Sequence, residues 1–335
     1  MKVLFELSQE YNNLPTEEIL AVFKGEQVNF QILISNPHVL VVESSLKKEG
    51  ILRLSQRVSL SYYLDEFLFS CPSSLSVLER HAKENKIQGE GTVAIRYKNR
   101  SSSLSSQNFA KALATIYTKD RVVNLENPDI ELRLLLTDET LYVGIKIVKI
   151  EKTLFEKRKV QFRPFFSPIS LHPKLARALV NLSCVKKGST LLDPFCGTGG
   201  ILLEAGLLGI NVIGSDIEEK MIEGCKKTLD FFKIKSYKLY QSDIGKISEY
   251  VTKVDAIVTD FPYGKSTTTK GEDHTTLYKR SFKSMNAVLK KGGVAIIGAP
   301  EKKVFLLAMN KFHLRRVFEI PAHRSLTRYF AVFQK

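Results

Sequence analysis

A chain of 335 residues, 44% of them hydrophobic, is long enough for about two domains with sizeable cores. It contains no apolar run near the ~18 residues that a bilayer-crossing helix needs. Fifty Lys and Arg against 35 Asp and Glu leave a net charge of +15, which fits either a lysine-rich solvated surface or a polyanionic partner drawn in by the field.

The N-terminal segment "MKVLFELSQEYNN" lacks a signal-peptide layout, because Glu6 interrupts its short apolar stretch. Four scattered cysteines, Cys71, Cys184, Cys196 and Cys225, form no C-x-x-C pair. Neither a metal site nor a disulfide framework is expected, and a reducing, cytoplasmic setting fits best. In chain order the pattern predicts a strand in "KVLFELS" and a helix in "TEEILAVFK" with Thr16 as N-cap. Strands follow in "FQILIS" and "HVLVVES". After Arg57 come "VSLSYYL" (strand), "SSLSVLERHAKEN" (helix), "EGTVAIRYK" (strand) and "SQNFAKALATIYTK" (helix), then strands in "IELRLLLT" and "TLYVGIKIV". The charged, proline-closed stretch 151–166 reads as a linker.

Beyond it strands and helices alternate one for one: "STLLD", "GGILLEAGLL", "INVIGSD", "EEKMIEGCKKTLDFF", "SYKLYQSD", "KISEYV" and "VDAIVTD". A helix around 275–290, the strand "GGVAIIGAP", another helix and two closing strands complete the block. This order predicts an α/β fold with a doubly wound, largely parallel sheet that takes its ligand at the carboxyl ends of the strands. Asp193, Asp216, Asp243 and Asp260 all fall at or just past such ends.

Each motif carries its own chemistry. In "LLDPFCGTGGILLEAG" a strand ends on Asp193 and enters a helix through Gly197 and Gly199, which let a ligand approach the backbone. A G-x-G-x-x-G dinucleotide loop would need glycine at 202, where Leu202 stands. Asp216 is placed to accept from ribose hydroxyls, and Asp243 from an adenine amino group, between the apolar walls Ile217 and Ile244. Taken singly, each acid is equally well read as a helix cap. In "TDFPYG" Asp260 closes the fourth strand and is followed at once by Phe261, Pro262 and Tyr263, more than a turn needs.

The succession D-P-F-C-G-T-G-G, S-D, S-D, D-F-P-Y resembles class I methyltransferases that modify exocyclic amino groups with S-adenosylmethionine. Their last motif is usually written [DNS]-P-P-[YFW], so Phe261 departs from it. The resemblance implies a cofactor site at Asp193, Cys196, Gly197, Thr198, Gly199, Asp216, Ile217, Asp243 and Ile244, and a catalytic set of Asp260, Pro262 and Tyr263. In that set the Asp260 carboxylate and the Pro262 carbonyl accept the two amine N–H groups, and Tyr263 stacks on the base. Attack on a pyrimidine C5 would need a cysteine nucleophile, and none stands beside this loop. His172 and Pro173 are expected to open a helix beside the methionine end of the cofactor.

The stretch 122–147, with "NPDIEL" at its core, resembles the end of a THUMP domain, although a simple Asn-Pro-Asp turn accounts for those residues equally well. The full arrangement is similar to the archaeal tRNA (guanine-10-N2)-methyltransferase family: a ferredoxin-like α/β region at 1–57, THUMP at 58–150, the linker at 151–166 and a methyltransferase domain with a seven-stranded Rossmann-like sheet at 167–335. "HRSLTRYFAVF" resembles that family's C-terminus, with Arg324, Ser325 and Arg328 expected near the tRNA or the target loop. The resemblance implies a cytoplasmic monomer that binds tRNA and no membrane. It leaves open a small zinc-binding activator subunit, the choice between one and two methyl groups, and guanosine 6 as the target. A DNA adenine N6-methyltransferase and a non-catalytic tRNA-binding scaffold are the other readings.

Overall fold

A computed structural model describes residues 1–167, 170–262, 272–323 and 326–335. They form two compact units. The first comprises Met1–Gln9, Asn29–Gln56 and Ser61–Ile150; the second comprises Glu10–Val28, Arg57–Leu60 and Glu151–Lys335.

The chain opens with strand β1 (Lys2–Leu7), passes through helix α1 (Leu14–Gly25), and returns as β2 (Phe30–Ser35) and β3 (Val39–Ser44). The N-cap of α1 is Asn13, not the expected Thr16, because Pro15 takes the first-turn position where its missing N–H does no harm. Helix α2 (Lys48–Ser55) occupies a stretch given no element above. Its eight residues carry too few apolar positions, Ile51, Leu52 and Leu54, to show a period. Then come β4 (Ser61–Pro72), α3 (Leu75–Glu84), β5 (Val93–Asn99), α4 (Ser106–Tyr117), β6 (Ile130–Leu136) and β7 (Thr140–Lys149). All seven strands lie in one sheet, ordered β2-β3-β1-β4-β7-β6-β5. Residues 1–57 and 58–150 therefore share a sheet.

The second unit continues with α5 (Lys152–Glu156), α6 (Pro173–Leu182), β8 (Thr190–Asp193), α7 (Gly200–Gly206), β9 (Asn211–Asp216), α8 (Glu219–Phe231), β10 (Tyr237–Gln241), α9 (Ile247–Tyr250) and β11 (Val254–Asp260). It closes with α10 (His274–Val288), β12 (Leu289–Ala299), β13 (His313–His323) and β14 (Leu326–Gln334). The helix expected after β12 is a 3-10 turn, Lys302–Ala308. The strand order is β10-β9-β8-β11-β12-β14-β13, parallel from β10 to β12, with β14 antiparallel between β12 and β13.

The alternation of side chains along the strands explains the layering. Leu191, Ala256, Val258 and Ile296 face a core that includes α6, α7 and α8 residues. Leu192, Ile257, Ala295 and Ile297 face the opposite core, built on α10 and the 3-10 turn. Helix α1 belongs to the first of these cores through Leu14 and Ala21. Its Glu18, fully buried, accepts from Ser59 N and Leu60 N at 3.0 and 2.8 Å and from Asn181 Nδ2 at 2.8 Å. These pairings place α1 and 57–60 with the second unit, whereas the sequence boundaries put them before the linker.

Candidate active site

The glycine turn after β8 is tied to its neighbours by the acids themselves. Buried Asp193 accepts through Oδ1 from Phe195 N at 3.2 Å and from the Thr259 hydroxyl of β11 at 2.7 Å. Asp216 accepts through Oδ2 from Gly197 N and through Oδ1 from Glu218 N, both at 3.0 Å. Burial pushes the Asp193 carboxyl up to about 7, with the charges of Asp216 and Asp260 adding to it. Burial also raises Asp216. Desolvation disfavours the charged form, and like charges converging on one place do the same.

The two glycines do different work. Gly197 has φ +49° and no atom within 4 Å of where a Cβ would stand, so it leaves open floor. Gly199, φ +79°, caps α7, and a Cβ there would lie 2.6 Å from Cys225 Sγ. Cys196 hydrogen-bonds Cys225, which together with burial holds its thiol well above the ordinary range. His172 caps α6, with Nδ1 accepting from Lys174 N at 3.2 Å.

Asp243 is engaged differently from the expectation. Arg280 of α10 grips both of its oxygens, at 2.8 Å on Oδ2, while Gly245 N donates to Oδ1 at 2.7 Å. The same guanidinium reaches Glu272 at 2.7 and 2.5 Å. The Arg280 pairing holds the Asp243 carboxyl below its usual range. An adenine amino group arriving here would share an oxygen that already accepts from arginine.

At the end of β11, Arg328 Nη1 lies 3.5 Å from Asp260 Oδ2, and both side chains are largely buried. Gly298, beside Asp260 on β12, leaves the space the carboxylate fills: a Cβ there would stand 2.4 Å from Asp260 Oδ1. Phe261 is buried, and its N–H donates to Gly298 O at 3.0 Å. Its ring stacks on Tyr278 at 4.7 Å and 12° and meets Phe195 and Phe282 edge-on. The Tyr278 hydroxyl donates to Pro262 O at 3.0 Å. Tyr263, Arg324 and Ser325 lie outside the described residues.

One cavity of about 280 Å³ gathers these parts. It is lined by Asp193, Cys196, Gly197, Thr198, Asp216, Ile217, Asp243, Ile244, Asp260 and Pro262. Gly199 does not line it; it caps α7 and packs against Cys225. Sequence reasoning missed Glu218, Met221, Leu277 and Arg280 on its wall. Only Glu218, two residues past Asp216, carried a signal. The mixture suits a nucleoside with an aliphatic arm: carboxylates for hydroxyl and amino groups, apolar walls for a purine, and open floor at Gly197.

This strand order, with a glycine turn after its first strand and acids at neighbouring strand ends, defines a class I methyltransferase. Residues 161–329 match the family described as "RMKL-like, methyltransferase domain". A family described as "DNA methylase" matches residues 82–227, a span that stops before β11 and its Asp260. The chain is 33% identical over 339 residues to the tRNA (guanine(10)-N2)-dimethyltransferase of Methanothermobacter thermautotrophicus, covering 100% of both chains. In structure it resembles TrmN from Thermus thermophilus, at 20% identity and TM-score 0.61 with 100% of both chains covered. It also resembles a methyltransferase solved with SAH, at 13% identity and TM-score 0.56 with 99% and 97% covered. The chain belongs to the tRNA (guanine(10)-N2)-dimethyltransferase family.

Proposed function

We propose that the protein transfers methyl from S-adenosylmethionine to the exocyclic N2 amine of guanosine 10 in tRNA. The observation that carries this reading is that Asp260 and Pro262 both line the cavity that the glycine turn opens. Full-length similarity to an enzyme named for that nucleotide supports the choice of substrate over guanosine 6 or DNA adenine.

When bound, S-adenosylmethionine supplies an electrophilic methyl group on a sulfonium. Asp216, Ile217, Asp243 and Ile244 hold its nucleoside, and Asp193, Cys196, Gly197 and Thr198 line the turn, with Gly199 capping α7. The guanine N2 lone pair is delocalised into the ring, so the amine is a poor nucleophile. Asp260 and the Pro262 carbonyl accept its two N–H groups, which orients the amine and stabilises the positive charge that develops on it. The base has to leave its stack to reach this depth, and Tyr263 is its proposed platform.

The first sheet, with THUMP assigned to 58–150, positions the tRNA in this reading. The net charge of +15 favours that encounter. A cytoplasmic location belongs to the same proposal.

The test incubates the protein with labelled S-adenosylmethionine and unmodified tRNA transcripts, then maps the labelled nucleoside. Label on N2 of guanosine 10 is expected, and label on adenosine, on guanosine 6 or in DNA alone would overturn the reading. Asp260→Ala is expected to cut turnover by roughly 10²–10³-fold while cofactor binding persists; a non-catalytic scaffold would lose nothing.

A further inference from the structure

The family motif is usually written with proline at the position of Phe261, and proline would stiffen the loop by fixing its own φ. Here that stiffness has another source. Phe261 keeps an N–H, which proline lacks, and spends it on Gly298 O at 3.0 Å, one residue beyond the β11–β12 ladder that ends at Asp260. Its ring is clamped flat against Tyr278. The Tyr278 hydroxyl then reaches past the ring to the next residue and donates to the Pro262 carbonyl. One buried side chain on α10 thus holds both residues that follow Asp260.

We infer that Tyr278 is a positioning residue for methyl transfer, its ring locking Phe261 and its hydroxyl aiming the Pro262 carbonyl at the substrate amine. This rests on the assignment of Asp260 and the Pro262 carbonyl as amine acceptors. A carbonyl oxygen has two lone pairs; the hydroxyl occupies one and so fixes the peptide plane that presents the other. Burial pushes the Tyr278 hydroxyl up to about 12, so it stays a donor through the working pH range.

Tyr278→Phe removes the hydroxyl and keeps the ring stack. Single-turnover methylation of tRNA at saturating cofactor is expected to slow roughly 10- to 100-fold, the scale of an ångström-level misplacement. Cofactor Kd and KM for tRNA should stay within about twofold, and Tm within a few degrees, as befits one lost neutral hydrogen bond. Phe261→Pro, which restores the usual motif, is expected to slow the reaction rather than rescue it. Turnover within twofold of the parent in Tyr278→Phe would overturn the inference. So would a rate loss matched by weakened cofactor binding and a lowered Tm, since that is what a purely structural tyrosine would give. Asp260→Ala in the same assay separates the two levels. If it keeps turnover, the acceptor assignment falls and this inference with it; if it loses turnover while Tyr278→Phe does not, only the inference falls.

Discussion

Gly298→Ala places one methyl group against the proposed catalytic carboxylate. A Cβ at 298 would stand 2.4 Å from Asp260 Oδ1 and 2.6 Å from Phe330 Cε1, where ordinary contact begins at 3.4 Å. Phe330 is fully buried and has little room to yield, so the carboxylate has to give way by about 1 Å (3.4 − 2.4). A shift of that size is expected to slow turnover ~10²-fold. Overpacking of one methyl group in a core destabilises by about 1–3 kcal/mol, or roughly 2–4 °C of Tm per kcal/mol for a domain of a few hundred residues. The assay is single-turnover methylation of tRNA beside a cofactor titration and a thermal melt. Cofactor affinity should hold within a few-fold, because the proposed role of Asp260 is to hold the substrate amine and not the cofactor. A folded Gly298→Ala protein with turnover within threefold of the parent, while Asp260→Ala is inactive, would refute the steric reasoning.

The buried Asp193 should leave a mark on pH stability. Its folded carboxyl titrates at about 7, above the ordinary aspartate value of about 3.9, so the folded state binds the proton more tightly than the unfolded chain does. Stability from this group is present at low pH and falls as pH rises from about 4 to 7, by an amount on the order of 4 kcal/mol at most. Melts of wild type and Asp193→Asn over pH 4–9 should converge at the acidic end and separate up to about pH 7, with wild type falling relative to the variant; parallel curves would contradict this. A fragment of residues 151–335 lacks α1, Leu60 and Glu18 and so part of its own core. It is expected to show no cooperative melt by circular dichroism, and a stable fragment that binds cofactor would disprove this.

What the sequence made legible was local. Asp193, Asp216 and Asp260 stand out because each ends an apolar run, and a parallel sheet turns such ends toward one edge. Gly197 and Gly199 were visible as a turn, although their separate tasks were not. The parts that stayed hidden depend on partners far along the chain. Phe261 had no readable role because Tyr278, which clamps it, stands on α10 beyond the loop. Asp243 read as a free acceptor because nothing near it announces Arg280, 37 residues on. Helix α1 read as part of the N-terminal block because its amphipathic pattern says that one face is buried and not against what.

That last feature also sets an order of events during synthesis. Asn181, the partner that closes around Glu18, lies 163 residues downstream. At ~5–20 residues per second on the ribosome, α1 waits on the order of 10–30 s with its apolar face largely uncovered and its carboxylate held by Ser59 and Leu60 alone. During that interval the nascent first sheet can close, but the helix between its first two strands has nowhere to dock. The emerging chain is then most exposed to aggregation or to capture by a chaperone, and slower decoding between codons 60 and 181 would lengthen that exposure.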